Sequence, residues 1–513
     1  MDQRWSRWQS VAIGGVAVVA AALLWLTGDR SLTNLGLVLV SLGAAAAVAW
    51  LAPSRPITAF GVLFLVASLS GLDVSTRLGN MRLEQPAIVA GYAALLLSPS
   101  KLDLRLLRRF WPIGVAFAAY LVCLTMSSVV FAPDRADSLR MAFWTGLSIC
   151  GGVLALLLLS KGTAGATEWI STSGYVQAAA GIACAVAFFT LGPVLLTGGL
   201  ASPGIALPLS SLPKVYGLSW EANIYASLLA ALTILGLSRF LSGDLSSRQL
   251  LLPITAGAMA LGLTRGAYLG LGAGFVVFGA MALTPRRTWA SDALRRVPMR
   301  SAIVAASVVL GVMASSVLMQ GGRPPNQPLS FNISLPWSGS PGQTATAPAP
   351  APAPTAGYTD PPPPDTVTFR MERIPVALAD IPHSLIIGLG ANSFGQRHAD
   401  VSQNGAPDHI AFLALAAVYE SGVVGAAGLG IGFLLILFVM FRATRRRPHR
   451  ATVAAYAGAL VSLLVAYETT NALNFALIWL LAGAGLAVAA QAADSEVVAH
   501  PDPQASPTST ASE

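Results

Sequence analysis

Long apolar runs, separated by short polar or basic clusters, occupy most of the chain. Fourteen of them, near residues 11–28, 33–52, 57–72, 86–98, 111–131, 140–160, 173–196, 222–240, 249–264, 266–284, 301–320, 421–441, 451–467 and 472–490, approach the about 20 residues a helix needs to cross a bilayer. The third, fourth and ninth are the shortest of the interrupted ones. The first reads as a retained helix, because no small-residue cleavage site is followed by a soluble mature chain. The pattern predicts an all-α polytopic membrane protein of about 14 transmembrane helices, with one large extracytoplasmic loop before the last three spans. The chain divides into helices 1–11 over residues 1–320, a loop in two parts (321–368, disordered by composition, and 369–420, folded), helices 12–14 over 421–490, and a disordered cytoplasmic tail over 491–513.

The two parts of the loop differ. Thirteen prolines fall between Pro324 and Pro364, in a composition that buries too little apolar surface to offset the entropy of ordering. From Phe369 the sequence mixes apolar residues, arginines, histidines and glycines, as a folded segment with a polar site would. The run from Ile410 to Phe441 is longer than one span and carries Glu420, which is costly in lipid. It predicts a short helix over about 409–420, N-capped by Asp408, then a break at Ser421 and Gly422, then a span. On that short helix His409, Leu413, Ala416 and Glu420 would share one face.

Composition narrows the class further. The chain is 54% hydrophobic and only 11% charged, with mean hydropathy +0.65, far too apolar for a soluble domain. Its net charge of +8 comes from clusters between apolar runs, which encodes membrane topology and argues against a nucleic-acid partner. With a cytoplasmic N-terminus, 20 of the 31 Lys and Arg fall on the inside, and the 321–408 loop lies outside. Cys123, Cys150 and Cys184 all sit in apolar segments and read as small core residues, giving neither disulfides nor a metal site. No zinc-hydrolase or serine-hydrolase motif is present, and "GLGANSFG" lacks the surroundings of a nucleotide loop.

Several polar residues stand out against this background. Arg265, alone between two apolar blocks, reads as functional rather than snorkelling. Lys214, Glu221 and Asn223 surround the outer start of a helix, where they either cap and solvate it or contact a substrate. Arg370 and Arg373, three apart, would share a helix face that either clamps a phosphate or is simply solvated. His383 and His398 read as loop or packing histidines.

Four motifs in order, "KVYGLSWEAN", "TRGAYLGLGAG", "ALADIPHSLIIGLGANSF" and "AVYESGVVG", resemble the O-antigen ligase and Wzy-type polysaccharide polymerase superfamily over roughly 210–430. The resemblance implies a glycosyltransferase of the inner (cytoplasmic) membrane with its site on the extracytoplasmic face. Such an enzyme takes a glycan from undecaprenyl diphosphate to an acceptor hydroxyl on a glycan or glycolipid, inverting the anomeric centre without metal or cofactor. It further implies that Arg265 holds the diphosphate, that Lys214 stands where the family often has arginine, and that His409 is the base. Ile410 replaces the asparagine that commonly follows this histidine. The rival is a lipid-linked oligosaccharide flippase or other transporter; it calls for two matching halves with interrupted helices, which the sequence does not display.

Overall fold

The computed structural model describes residues 32–76, 79–99, 103–191, 201–202, 214–215, 217–219, 221–241, 251–262, 264–283, 366–398, 409–445 and 449–499. The predicted spans at 11–28 and 301–320, the proline-rich stretch, Asp408 and the end of the tail lie outside them, while residues 491–499, expected as the start of a disordered tail, continue the last helix. The described residues are mostly helical, and eight of their helices are long and apolar enough to cross a membrane. In chain order these residues form α1 (Leu32–Leu51), α2 (Pro56–Ser68), the hairpin β1 (Asp73–Thr76) and β2 (Gly79–Arg82), and α3 (Glu84–Leu96). Next come α4 (Leu104–Arg109), α5 (Trp111–Val130), α6 (Arg135–Leu158), α7 (Ala166–Leu191), and the two-residue strands β3 (Ala201–Ser202) and β4 (Lys214–Val215). They are followed by α8 (Ala222–Leu241), α9 (Leu251–Leu261), α10 (Arg265–Leu283), α11 (Thr366–Asp380), α12 (Ser393–Arg397), α13 (Leu413–Ala443), α14 (Arg450–Tyr467) and α15 (Ala476–Ala499).

Local chemistry sets several of these boundaries. Proline opens α2 and occupies the first turn of α5, where its missing N–H costs nothing. Asp103 and Asp134 cap α4 and α6 by accepting from Arg105 N and Asp137 N, each at 3.0 Å. At 13, 13 and 11 residues, α2, α3 and α9 are shorter than a full crossing. The chain leaves α2 early because it turns at Gly71, whose N–H donates to Leu218 O at 2.9 Å.

Apolar tails offer helices no hydrophobic reason to associate, so close backbone approach and packing must hold them. α6 meets α15 where Gly152 and Gly483 bring their backbones together, and α10 meets α14 through Gly274 and Gly458. A Cβ on any of these four would overlap the facing carbonyl. Between α5, α13 and α15, Phe117, Phe433 and Trp479 pack as a ring trio with centroids 5.0–5.4 Å apart.

Hydrogen bonds sort the connections into two ends. At one end the turns around 69–76, 79–83, 131–135, 217–219, 221–222, 385–398, 409–413 and 468–475 bond to one another: Arg82 Nη1 donates to Asn474 O at 2.6 Å and Ser148 Oγ to the same carbonyl at 2.9 Å. At the other, Thr163 Oγ1 donates to Gln491 Oε1 at 2.7 Å, and Arg109 pairs with Asp494 at 3.1 Å. Among the described residues this second end carries nine basic and four acidic residues, whereas the first carries eight basic and nine acidic ones. Such a skew is how topology is encoded.

The break expected at Ser421 and Gly422 is present: α13 is interrupted at Gly422, with φ 67° and ψ −179°. Residues 385–390 cross it as a strap and take over the backbone groups it frees. Val423 N and Val424 N donate to Leu385 O and Ile386 O, while Leu389 N and Gly390 N donate to Tyr419 O and Glu420 O, over 2.8–3.3 Å. Irregular backbone at membrane depth is tolerated only where protein satisfies it in this way. Gly388, at φ 84°, and Gly422 lie backbone against backbone at the crossing, and neither has room for a Cβ. One expectation is corrected. The helix starts at Leu413 with Phe412 at its N-cap, so His409 precedes it and does not share a helical face with Glu420.

Candidate functional site

A cavity of about 450 Å3 opens among the turns of the first end. The hairpin supplies Asp73, Asn80 and Arg82, followed by Gln85, and α5 supplies Tyr120. Arg140, Met141, Trp144 and Thr145 come from α6, and Glu221 and Ile224 from the entry to α8. Asn392 comes from the turn between the strap and α12, and His409 and Glu420 from the approach to and first section of α13. The turn between α14 and α15 closes the ring with Thr470, Asn471, Asn474 and Phe475.

Several polar groups in the wall are aimed by neighbours. Glu420 Oε1 accepts from Asn392 N at 3.1 Å, and Glu420 O accepts from Ser127 Oγ at 2.7 Å. Asn392, in the left-handed region at φ 53°, donates through Nδ2 to Asp137 at 3.2 Å, and Asp137 also pairs with Arg140. Glu221 Oε1 accepts from Thr470 Oγ1 and, at 3.4 Å, from Asn223 Nδ2. Arg82 lies over the Phe475 ring, 3.4 Å from its centroid. Burial lowers the pKa of its guanidinium, opposed by the charges of Glu84 and Asp73. Burial likewise raises the Asp73 carboxyl, against the Asn80 hydrogen bond and Arg82.

Of the residues singled out in the sequence, His409, Glu221 and Glu420 come together in this cavity. Asn223 reaches it only through Glu221. Arg265 is not in its wall; it is the exposed first residue of α10. Arg370 and Arg373 do share helix α11, but each is turned to a backbone carbonyl. Arg370 Nη1 donates to Thr469 O at 2.6 Å and buried Arg373 Nη1 to His409 O at 3.3 Å. Arg373 thereby ties α11 to the backbone of His409. For Lys214 the description stops at the backbone, paired through Ser202 in the β3–β4 ladder.

Thr469 and Thr470 bridge the two groups. The side chain of Thr469 sits against Gly266, next to Arg265, and its carbonyl holds Arg370; Thr470 holds Glu221 in the cavity wall. The turn "ETTNALNF" and the hairpin arginine Arg82 escaped the sequence reading. Their signal was a dense polar cluster between two spans, and a pair of arginines, Arg77 and Arg82, in an outer turn.

His398 is more than a loop histidine: its Nε2 lies 2.6 Å from Asp380 Oδ2, which also accepts from Tyr419 OH at 2.8 Å. Burial raises the Asp380 carboxyl, but the hydrogen bonds from His398 and Tyr419 and the charges of His398 and Arg397 outweigh it and hold it below its ordinary value. Among the described residues no three His, Cys, Asp or Glu side chains cluster as metal ligands. No protein-family model matches the chain, and no curated protein matches it.

Proposed function

We propose that the protein is a polytopic membrane glycosyltransferase of the O-antigen ligase or Wzy-type polymerase kind, with about 14 spans and the 321–408 loop on the extracytoplasmic face of the cytoplasmic membrane. The observation that carries the reading is the placement of His409 and Glu420 in one cavity, walled by the turns at the less basic end of the bundle. By the positive-inside rule that end faces away from the cytoplasm. The ordered motifs support the same reading from the sequence.

The chemistry follows from the donor. A polyprenyl diphosphate is a leaving group already activated, so the site must supply positive charge where negative charge grows and a base for the acceptor. The acceptor oxygen attacks the anomeric carbon from the face opposite the diphosphate. The bond from that carbon to the diphosphate oxygen breaks and its electron pair leaves with the diphosphate, while the acceptor proton passes to the His409 imidazole. Arg265, beside the Gly266 that meets Thr469, and Arg370, bonded to the Thr469 carbonyl, supply charge to the diphosphate together with Lys214.

The test is deletion of the gene followed by analysis of surface glycan. Loss of long chains from their anchor identifies a ligase, and single repeat units left on the anchor identify a polymerase. A glycan unchanged in both amount and length overturns the proposal.

A further inference from the structure

The charge balance of the cavity bears on what it accepts. Three carboxyl groups, Asp73, Glu221 and Glu420, line it, with the guanidinium groups of Arg82 and Arg140 and the His409 imidazole. Arg140 is paired with Asp137. A phosphate or carboxylate brought into this space would meet like charges in a partly desolvated setting, which disfavours it. The diphosphate is therefore better held outside the cavity, on the side of Arg265 and Arg370.

The same wall is well made for hydroxyl groups. Glu221 and Glu420 each have one carboxyl oxygen fixed by hydrogen bonds within the protein, while the other makes none to the described residues and is not sealed from the cavity. Such an oxygen is a ready acceptor. Trp144 and the Arg82-backed ring of Phe475 add flat apolar faces. The volume falls within the about 300–1,000 Å3 usual for small-molecule sites.

From this combination we infer that the cavity is a subsite for a neutral sugar residue and that its carboxyl groups select against acidic sugars. This rests on the glycosyltransferase reading and specifies its substrate. Carboxylate oxygens orient the hydroxyls, aromatic faces take the apolar side of the ring, and a hexuronic acid is refused by charge at nearly unchanged size.

The test uses the full chain in nanodiscs at pH 7, with saturation-transfer difference NMR of a methyl hexoside and of its methyl hexuronide counterpart. The wild type gives signal with the neutral glycoside and binds the uronide at least about tenfold more weakly, a difference within reach of one unfavourable charge contact. Trp144→Ala abolishes the signal. Asp73→Asn combined with Glu221→Gln, near-isosteric and charge-removing, narrows the discrimination about tenfold. Equal binding of the two sugars, absence of any neutral-sugar signal, or discrimination unchanged in the double variant overturns the inference. Binding is read without turnover, so the two claims separate. A protein that selects neutral sugar but transfers none overturns only the transferase proposal, whereas one that transfers while binding both sugars alike overturns only this inference.

Discussion

Asp380 illustrates how a single side chain holds the loop in place. It lies at the end of α11 and receives His398 and Tyr419 on one carboxylate oxygen, joining α11, the end of α12 and α13. Because its folded pKa is depressed below 3.8, it contributes stability that is fully present above that unfolded value and is lost as pH falls through the folded one. Thermal unfolding in detergent from about pH 5 down to about pH 2, which brackets the ordinary Asp pKa and the range below it, should therefore show an acid-side loss that Asp380→Asn makes smaller. An acid limb identical in the variant contradicts the assignment. Tyr419→Phe removes one hydrogen bond and should cost about 1–3 kcal/mol, the range for leaving a charged acceptor short of a partner.

The broken helix is the element that turns a span into a site. Gly422 ends the first section of α13 one residue after Ser421, and the strap returns hydrogen bonds to the four backbone groups this frees. Alanine at Gly422 or Gly388 has to adopt a positive φ and overlap the facing backbone, a strain of about 1–3 kcal/mol before any clash is counted. Either substitution should lower the unfolding temperature and displace Glu420 from Asn392 N. Unfolding scans of the purified variants check this; unchanged stability in both would mean the crossing is not tightly packed. The break itself was legible in the sequence, because Glu420 beside a Ser-Gly pair in a run too long for one span leaves few alternatives. The strap was not. "GLGANSFG" signals unusual backbone but does not say what its glycines approach, which here is another backbone remote in sequence. The start of α13 was missed for a related reason: Asp408 is a sound cap by residue type, yet the helix begins at Leu413, where Ala414 N finds Glu468 Oε2 at 3.1 Å, a partner from another turn. Long apolar runs were the easy part, since their helicity depends on local composition alone. Arg82 and the turn 468–475 gain their place only from the way separate hairpins converge.

At the scale of the molecule, the two ends of the bundle differ in charge, and the cavity lies at the less basic one. A reporter fused within the proline-rich stretch should be active only on the extracytoplasmic side, and one fused after Arg450 only on the cytoplasmic side. Reversed signals would turn the cavity toward the cytoplasm and remove its access to a lipid-linked glycan. Orientation granted, the transfer reaction is the central claim, and it is measured most directly with purified protein, a polyprenyl-diphosphate-linked glycan and an acceptor, following free polyprenyl diphosphate and the lengthened acceptor together. The wild type should form both in equal amounts. His409→Ala should slow the reaction by about 100- to 10,000-fold while still binding donor, the usual effect of losing a general base. Arg265→Lys, which keeps charge but loses the planar fork, should also fall strongly. No release of polyprenyl diphosphate by the wild type, or release at the wild-type rate by both variants, would contradict the account.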